Sequence, residues 1–175
     1  MQCTVPSLSK CHDIWRTLSN YTYGFWNISS DKPGYSGVTI LTRSKPNSVL
    51  FGFEHSSRFH EEARVVTLRY DDAVIIGVYS PAVGASDDSS ALNRRLEFDR
   101  LLFEHCLSEK ALGLPIYVLG DLNITTSDKD LYPGCPWVAL TSPDLRKNHT
   151  RLLREIGLYD SGSRSHLFTW YEDPT

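Results

Sequence analysis

Apolar and polar positions along the chain alternate in a way that predicts strands first and helices later. The stretch SGVTILTR (36–43) reads as a strand, opened by Gly34 and Gly37 and closed near Pro46. Val49–Phe53 is a second, shorter one. ARVVTLRY (63–70) and AVIIGVY (73–79) are rich in β-branched residues and meet at Asp71-Asp72, which predicts an antiparallel hairpin. The second of these is apolar at nearly every position, so both of its faces should be covered. Asp87, Asp88, Ser89 and Ser90 then supply turn and capping residues before a long helix, Ala91–Lys110. Leu92, Leu96, Phe103, Cys106 and Leu107 fall on one stripe of it at 3.6-residue spacing. Gly113 ends that helix, and Pro115 opens an apolar strand, Ile116–Leu119, expected to be buried. Residues 124–143 form a turn-rich connector, followed by a helix over about Asp144–Ile156 with Ser142 as its cap and Pro143 in its first turn. HLFTWY (166–171) reads as a last strand. Hairpins followed by strand–helix–strand imply a single mixed α/β domain with layered sheets over residues 1–175.

Composition narrows the function without naming it. A 41% hydrophobic and 22% charged chain of 175 residues is long enough for one core. The net charge of −3 argues against gripping nucleic acid through a global basic excess, so any such contact must be local. Cys3, Cys11, Cys106 and Cys135 form no CxxC pair and no zinc spacing, which fits reduced, buried thiols. No basic start followed by an apolar run marks Met1–Lys10, and no apolar stretch approaches membrane-spanning length. The expectation is a soluble, intracellular monomer with no membrane contact. His55 and His60 lack a third ligand in their loop, and Asp128 and Asp130 read as turn residues. Tyr21, Tyr23, Phe25 and Trp26 fit the packing of a strand better than stacking on bases.

One strand end carries candidate chemistry. YVLGDLN (117–123) runs into Gly120, where the backbone should turn sharply, then Asp121 and Asn123, two residues apart and able to face one side. A carboxylate there can deprotonate water, and an amide can donate to an oxygen gaining charge. If that oxygen belongs to a phosphate, a divalent cation normally shares the load. Asp and Asn also cap turns after strands in any fold, so spacing alone leaves both roles open. Tyr79 ends another apolar strand, and ligand sites in α/β sheets lie beyond the carboxyl ends of strands.

SDKPGYSGVTILTR (30–43), EEARVV (61–66), VIIGVYSP (74–81) and VLGDLN (118–123) occur in that order. Together they resemble the exonuclease III type of apurinic/apyrimidinic (AP) endonuclease, of the endonuclease/exonuclease/phosphatase superfamily. The resemblance implies a four-layered α/β sandwich, two sheets face to face with helices outside, and Mg²⁺-dependent (or Mn²⁺-dependent) hydrolysis of DNA 5′ to an abasic site. It implies catalytic roles for Tyr79, Asp121 and Asn123. Tyr79 would aim its hydroxyl at the scissile phosphate, Asp121 activate water, and Asn123 steady the phosphorus. Asp121 and Asn123 would face the metal, and Trp170 would wall a sugar pocket. Arg64 matches an arginine read as structural. A nucleus or a mitochondrion would suit such a protein.

The sequence also departs from that pattern. MQCT (1–4) overlays the family's LQET, which puts Cys3 where a metal-holding glutamate belongs, and Ala82 replaces the asparagine of a YVPN-like strand end. The late Ser-Asp-His segment has no counterpart before Thr175, and His166 does not match it. The expectation is a domain incomplete at both ends and impaired in catalysis. The alternatives are an inactive remnant serving as a DNA-binding or interaction module, a retrotransposon-type endonuclease, or another phosphodiesterase of the superfamily.

Overall fold

A computed structural model describes residues 20–32, 34–54, 59–83, 89–130 and 142–161. The chain divides into two compact units, one made of residues up to 80 with 104–122, the other of 81–103 with the residues from 123 onward.

Among the described residues, the first unit holds six strands in two sheets. β1 (Tyr23–Asn27) and β2 (Val38–Thr42) form an antiparallel pair in which Phe25 lies opposite Ile40. β3 (Ser48–Phe51), β4 (Val65–Arg69), β5 (Val74–Tyr79) and β6 (Ile116–Asp121) make the second sheet, in that order. Its first three strands are antiparallel, and β5 and β6 run parallel. The expected β4–β5 hairpin is present, closed by Tyr70 N–H donating to the Ala73 carbonyl across Asp71-Asp72 (2.8 Å). Of the aromatic stretch expected to pack as a strand, Tyr23, Phe25 and Trp26 lie on β1, while Tyr21 precedes it and is exposed.

The two sheets meet over Val38, Val66 and Leu68, with Phe25, Ile40, Val49, Tyr70, Ile75 and Tyr79 packed around them. Gly77 makes that approach possible. A Cβ there would stand 3.0 Å from the Ile40 side chain and 3.2 Å from Val38, closer than ordinary contact. On β4, Val66 and Leu68 take this face, and Val65 and Thr67, which alternate with them, are just as buried on the other.

Thr67 meets the C-terminal part of a 22-residue helix, α1 (Ser89–Lys110). Its hydroxyl lies 2.8 Å from His105 Nε2, and Arg69 holds the buried carboxylate of Glu109 through Nε and Nη2. Burial pushes the His105 imidazole below its ordinary range, with Glu109 pulling the other way and Arg69 reinforcing the shift. In the second unit burial lowers His149 as well, against the nearby Asp99. Both histidines are harder to protonate in the fold than in the unfolded chain, where an imidazole takes up its proton below about pH 6.5. Stability is therefore full above about pH 6.5 and falls as pH drops below it. Urea midpoints should decline from pH 7 to pH 5, and His105→Gln should flatten that decline. A midpoint that rises toward pH 5 would contradict the burial of both rings.

The stripe expected for α1 faces inward only in part. Cys106 is buried and Leu92 and Phe103 are half-buried, but Leu96 and Leu107 are 37% and 39% exposed, while Arg95, Phe98, Asp99, His105 and Glu109 are buried beside Cys106. The inward face is thus largely polar, and its charged groups are paired, which makes their burial tolerable. Cys106 is a free thiol, and burial, reinforced by Glu109, raises its pKa to about 12. That fits the expected inert thiol; the other three cysteines lie outside the described residues.

In the second unit, α2 (Pro143–Ile156) is capped as its sequence predicts. Ser142 Oγ accepts from Leu145 N–H (3.2 Å), and Gly157 closes the other end in a left-handed conformation (φ 76°). Asp128–Asp130 is a short 3₁₀ turn. Arg146 of α2 donates to Asp128 and to Thr125, which ties down the segment that follows β6. The strand expected at 166–171 lies outside the described residues.

Candidate active site

Two strand ends converge in the first unit. The parallel register of β5 and β6 sets Tyr79 directly beside Asp121, and Ser80 N–H donates to the Asp121 carbonyl (2.9 Å). Gly120 does not end the strand, as its sequence suggested. It pairs opposite Val78, and Asp121 is the last strand residue. Nor is β6 buried. Among the described residues it is the last strand in the sheet order, and Tyr117 and Leu119 are 53% and 56% exposed. An apolar run reads alike at the centre and at the end of a sheet, so its pattern could not distinguish the two.

Tyr79 is held through three contacts by Arg64, which is 2% exposed. The guanidinium lies 4.8 Å from the centre of the Tyr79 ring and 5.4 Å from that of Tyr35. Its Nη1 donates to the Tyr79 carbonyl (3.0 Å), Nη2 to the Tyr35 hydroxyl (3.1 Å) and Nε to Glu62. Tyr79 N–H donates in turn to the Arg64 carbonyl (2.9 Å). A planar cation between two π faces, with each of its nitrogens donating, fixes ring orientation as a lysine cannot.

The Gly-Tyr-Ser-Gly segment reaches this place through its own backbone. Ser36 sits at positive φ (49°), and its hydroxyl donates to the Glu62 carbonyl. Ser29 makes a like bond to the Glu61 carbonyl (3.1 Å), and Asn27 Nδ2 donates to the Val65 carbonyl (2.9 Å). Three side chains between 27 and 36 thus tie that stretch to residues 61–65, which lead through Arg64 into β4. Tyr35 is the neighbour that sequence reasoning left without a role, although it lies inside the most distinctive motif.

Arg64→Lys should cost about 2 kcal/mol, since a single ammonium leaves the Tyr35 hydroxyl or the Tyr79 carbonyl without its charged donor. Urea denaturation checks this, and an unchanged midpoint would mean the fork is not needed.

Asn123 lies past the strand, in the second unit, at positive φ (46°). Strand alternation stops at Asp121, so pleating does not align the two side chains as their spacing suggested. Asparagine tolerates the left-handed region better than most residues do. Its carbonyl accepts from Arg95 Nη1 (2.9 Å). Trp170, Cys3 and His166 lie outside the described residues.

The donor set suits a hard cation only in part. Asp121 is one exposed carboxylate, and among the described residues no group of three or more His, Cys, Asp or Glu could hold an ion. Mg²⁺ is commonly held by one or two carboxylates plus water and substrate phosphate, and such sharing is the arrangement that these residues fit.

A model of the endonuclease/exonuclease/phosphatase family matches residues 8–175. The chain belongs to this family.

Among relatives, the DNA-(apurinic or apyrimidinic site) endonuclease of Dictyostelium discoideum is 34% identical over 111 residues, 63% of this chain and 30% of that protein. The DNA repair nuclease APEX1 of Danio rerio is 32% identical over 149 residues, 82% of this chain and 46% of that protein. Of solved structures, the 3′-5′ exonuclease (NExo) from Neisseria meningitidis superposes with a TM-score of 0.77 at 25% identity, covering 94% of this chain and 62% of that one. An AP endonuclease from Archaeoglobus fulgidus, 20% identical with a TM-score of 0.65, shares the fold. The chain spans less than half the length of both relatives. The endonuclease/exonuclease/phosphatase fold expected from the motif order is therefore confirmed, and the AP-endonuclease resemblance with it.

Proposed function

We propose that this protein acts on DNA at abasic sites, as a metal-assisted phosphodiesterase of the AP-endonuclease kind, with both units serving one domain. The observation that carries this reading is the parallel register that sets Tyr79 beside Asp121 at the carboxyl ends of β5 and β6. Tyr79, oriented by Arg64, donates its hydroxyl to a phosphate oxygen. Asp121 takes a proton from the attacking water. Asn123 donates its amide to the oxygen that gains charge. A Mg²⁺ or Mn²⁺ ion held by Asp121, with Asn123 near it, would supply positive charge to the phosphate. Trp170 would stack against the sugar beside the lesion. A monomer in the nucleus fits this work.

One observation favours a second reading, a DNA-binding module with little chemistry of its own: the two strand ends bring one exposed carboxylate, Asp121, and among the described residues no group of three or more His, Cys, Asp or Glu could hold an ion. Incubating the full chain with a duplex that carries one abasic-site analogue decides between them. A single cut on the 5′ side of the lesion, dependent on Mg²⁺ and blocked by EDTA, supports the enzyme. Retention of the duplex without cleavage, by protein shown to be folded, supports the module.

A further inference from the structure

Arg95 has the most demanding set of contacts in the second unit. The residue is 2% exposed, on the buried face of α1. Its Nε donates to Asp99 Oδ1 one turn along (2.9 Å), which fixes the guanidinium plane. The two hydrogens of Nη1 then go to two different carbonyls, those of Pro81 and Asn123, each at 2.9 Å. Pro81 lies two residues beyond Tyr79, and Asn123 two residues beyond Asp121. One guanidinium nitrogen therefore ties together the two segments that leave the candidate active site, from positions 14 and 28 residues away along the chain. Asp99 is itself held, since it shares a hydrogen bond with Asn148 of α2.

We infer that Arg95 is a positioning residue, which keeps Asn123 in its left-handed conformation and sets its side chain for the reaction while touching no substrate. An ion pair that served stability alone would need only Asp99. Here the second nitrogen is committed to backbone carbonyls, and one of them belongs to a residue whose positive φ is uncommon outside glycine. Removing the donor frees that carbonyl and lets Asn123 relax toward ordinary backbone angles. The functional half of the inference rests on Asn123 acting at the phosphate, as proposed above; the conformational half does not.

The test reads both halves. Arg95→Lys keeps the charge but not the planar fork. A second variant, Arg95→Met with Asp99→Asn, removes both charges together, which buried pairs often tolerate when neither partner is left alone. In the full chain, the three-bond HN–Hα coupling and the Cα and Cβ shifts of Asn123 report its positive φ by NMR. Amide exchange at 122–125 reports the tie, with β4 and β5 amides as the reference for intact folding. Both variants should lose the positive-φ signature, and exchange at 122–125 should quicken at least about tenfold, with the strands unchanged. An unchanged signature in both variants overturns the inference. If the wild-type protein cuts abasic duplex, the double variant should lose about 10²-fold in kcat with KM within about twofold. A loss confined to KM would overturn the positioning role. If the wild-type protein does not cut, the proposed activity fails, and the NMR result still decides what Arg95 holds.

Discussion

Asp121→Ala is expected to reduce Mg²⁺-dependent cleavage of an abasic-site duplex by about 10³-fold, within the range that removal of a general base usually costs. The carboxylate stands at the end of β6 next to Tyr79 and is exposed. Its backbone carbonyl accepts from Ser80 N–H, a tie that substitution of the side chain leaves in place. Stability should therefore change by only about 0.5 kcal/mol, as for most surface substitutions, and lost activity could not be put down to unfolding. Asp121→Asn separates two duties. An amide keeps the size and one acceptor oxygen but takes no proton at neutral pH, so it should be nearly as inactive as alanine. Cleavage time courses with matched thermal melts check both variants. An Asp121→Asn variant with near-normal rates would move the base to another residue and leave Asp121 a turn residue.

That strand end could be found in the sequence because its signals are local. β-branched runs, the Asp-Asp turn, the Ser-Pro cap of α2 and the ordered motifs each occupy a few adjacent residues. Apolar strands ending at Tyr79 and Asp121 announced a shared rim, and the register confirms it. The polar inner face of α1 stayed hidden because periodicity is counted on apolar residues. Arg95, Asp99, His105 and Glu109 follow the same spacing, and Arg95 pairs with Asp99 one turn along, but the other partners that make their burial tolerable are distant in sequence: Asn123 for Arg95, Thr67 for His105, Arg69 for Glu109. Tyr35 escaped notice for the same reason, since its tie to Arg64 spans 29 residues. Motif spacing named Asp121 and Asn123 together, yet it could not show that the strand stops between them.

Gly120→Ala should be the most damaging single methyl in the protein, costing about 4 kcal/mol or more, a size reserved for strain and core disruption. Gly120 has φ of 131°, which side-chain-bearing residues rarely adopt. A Cβ built there would fall 2.0 Å from the Val78 carbonyl oxygen and 3.0 Å from its carbon. Both neighbours are backbone of β5, so no rotamer change relieves the clash. β6 must instead separate from β5 or turn out of register, and either motion takes Asp121 away from Tyr79. At about 2–4 °C per kcal/mol for a chain of this size, the melting temperature should fall by roughly 10 °C, and cleavage should vanish with it. Gly113→Ala is the matched control. Its φ of 80° is also positive, but nothing lies within 4 Å of the added carbon, so about 1 kcal/mol of backbone strain is the whole cost. If the two alanine variants melted together, the close approach of Gly120 to Val78 could not be real. The pairing of Tyr79 with Asp121 depends on that approach and would fail with it.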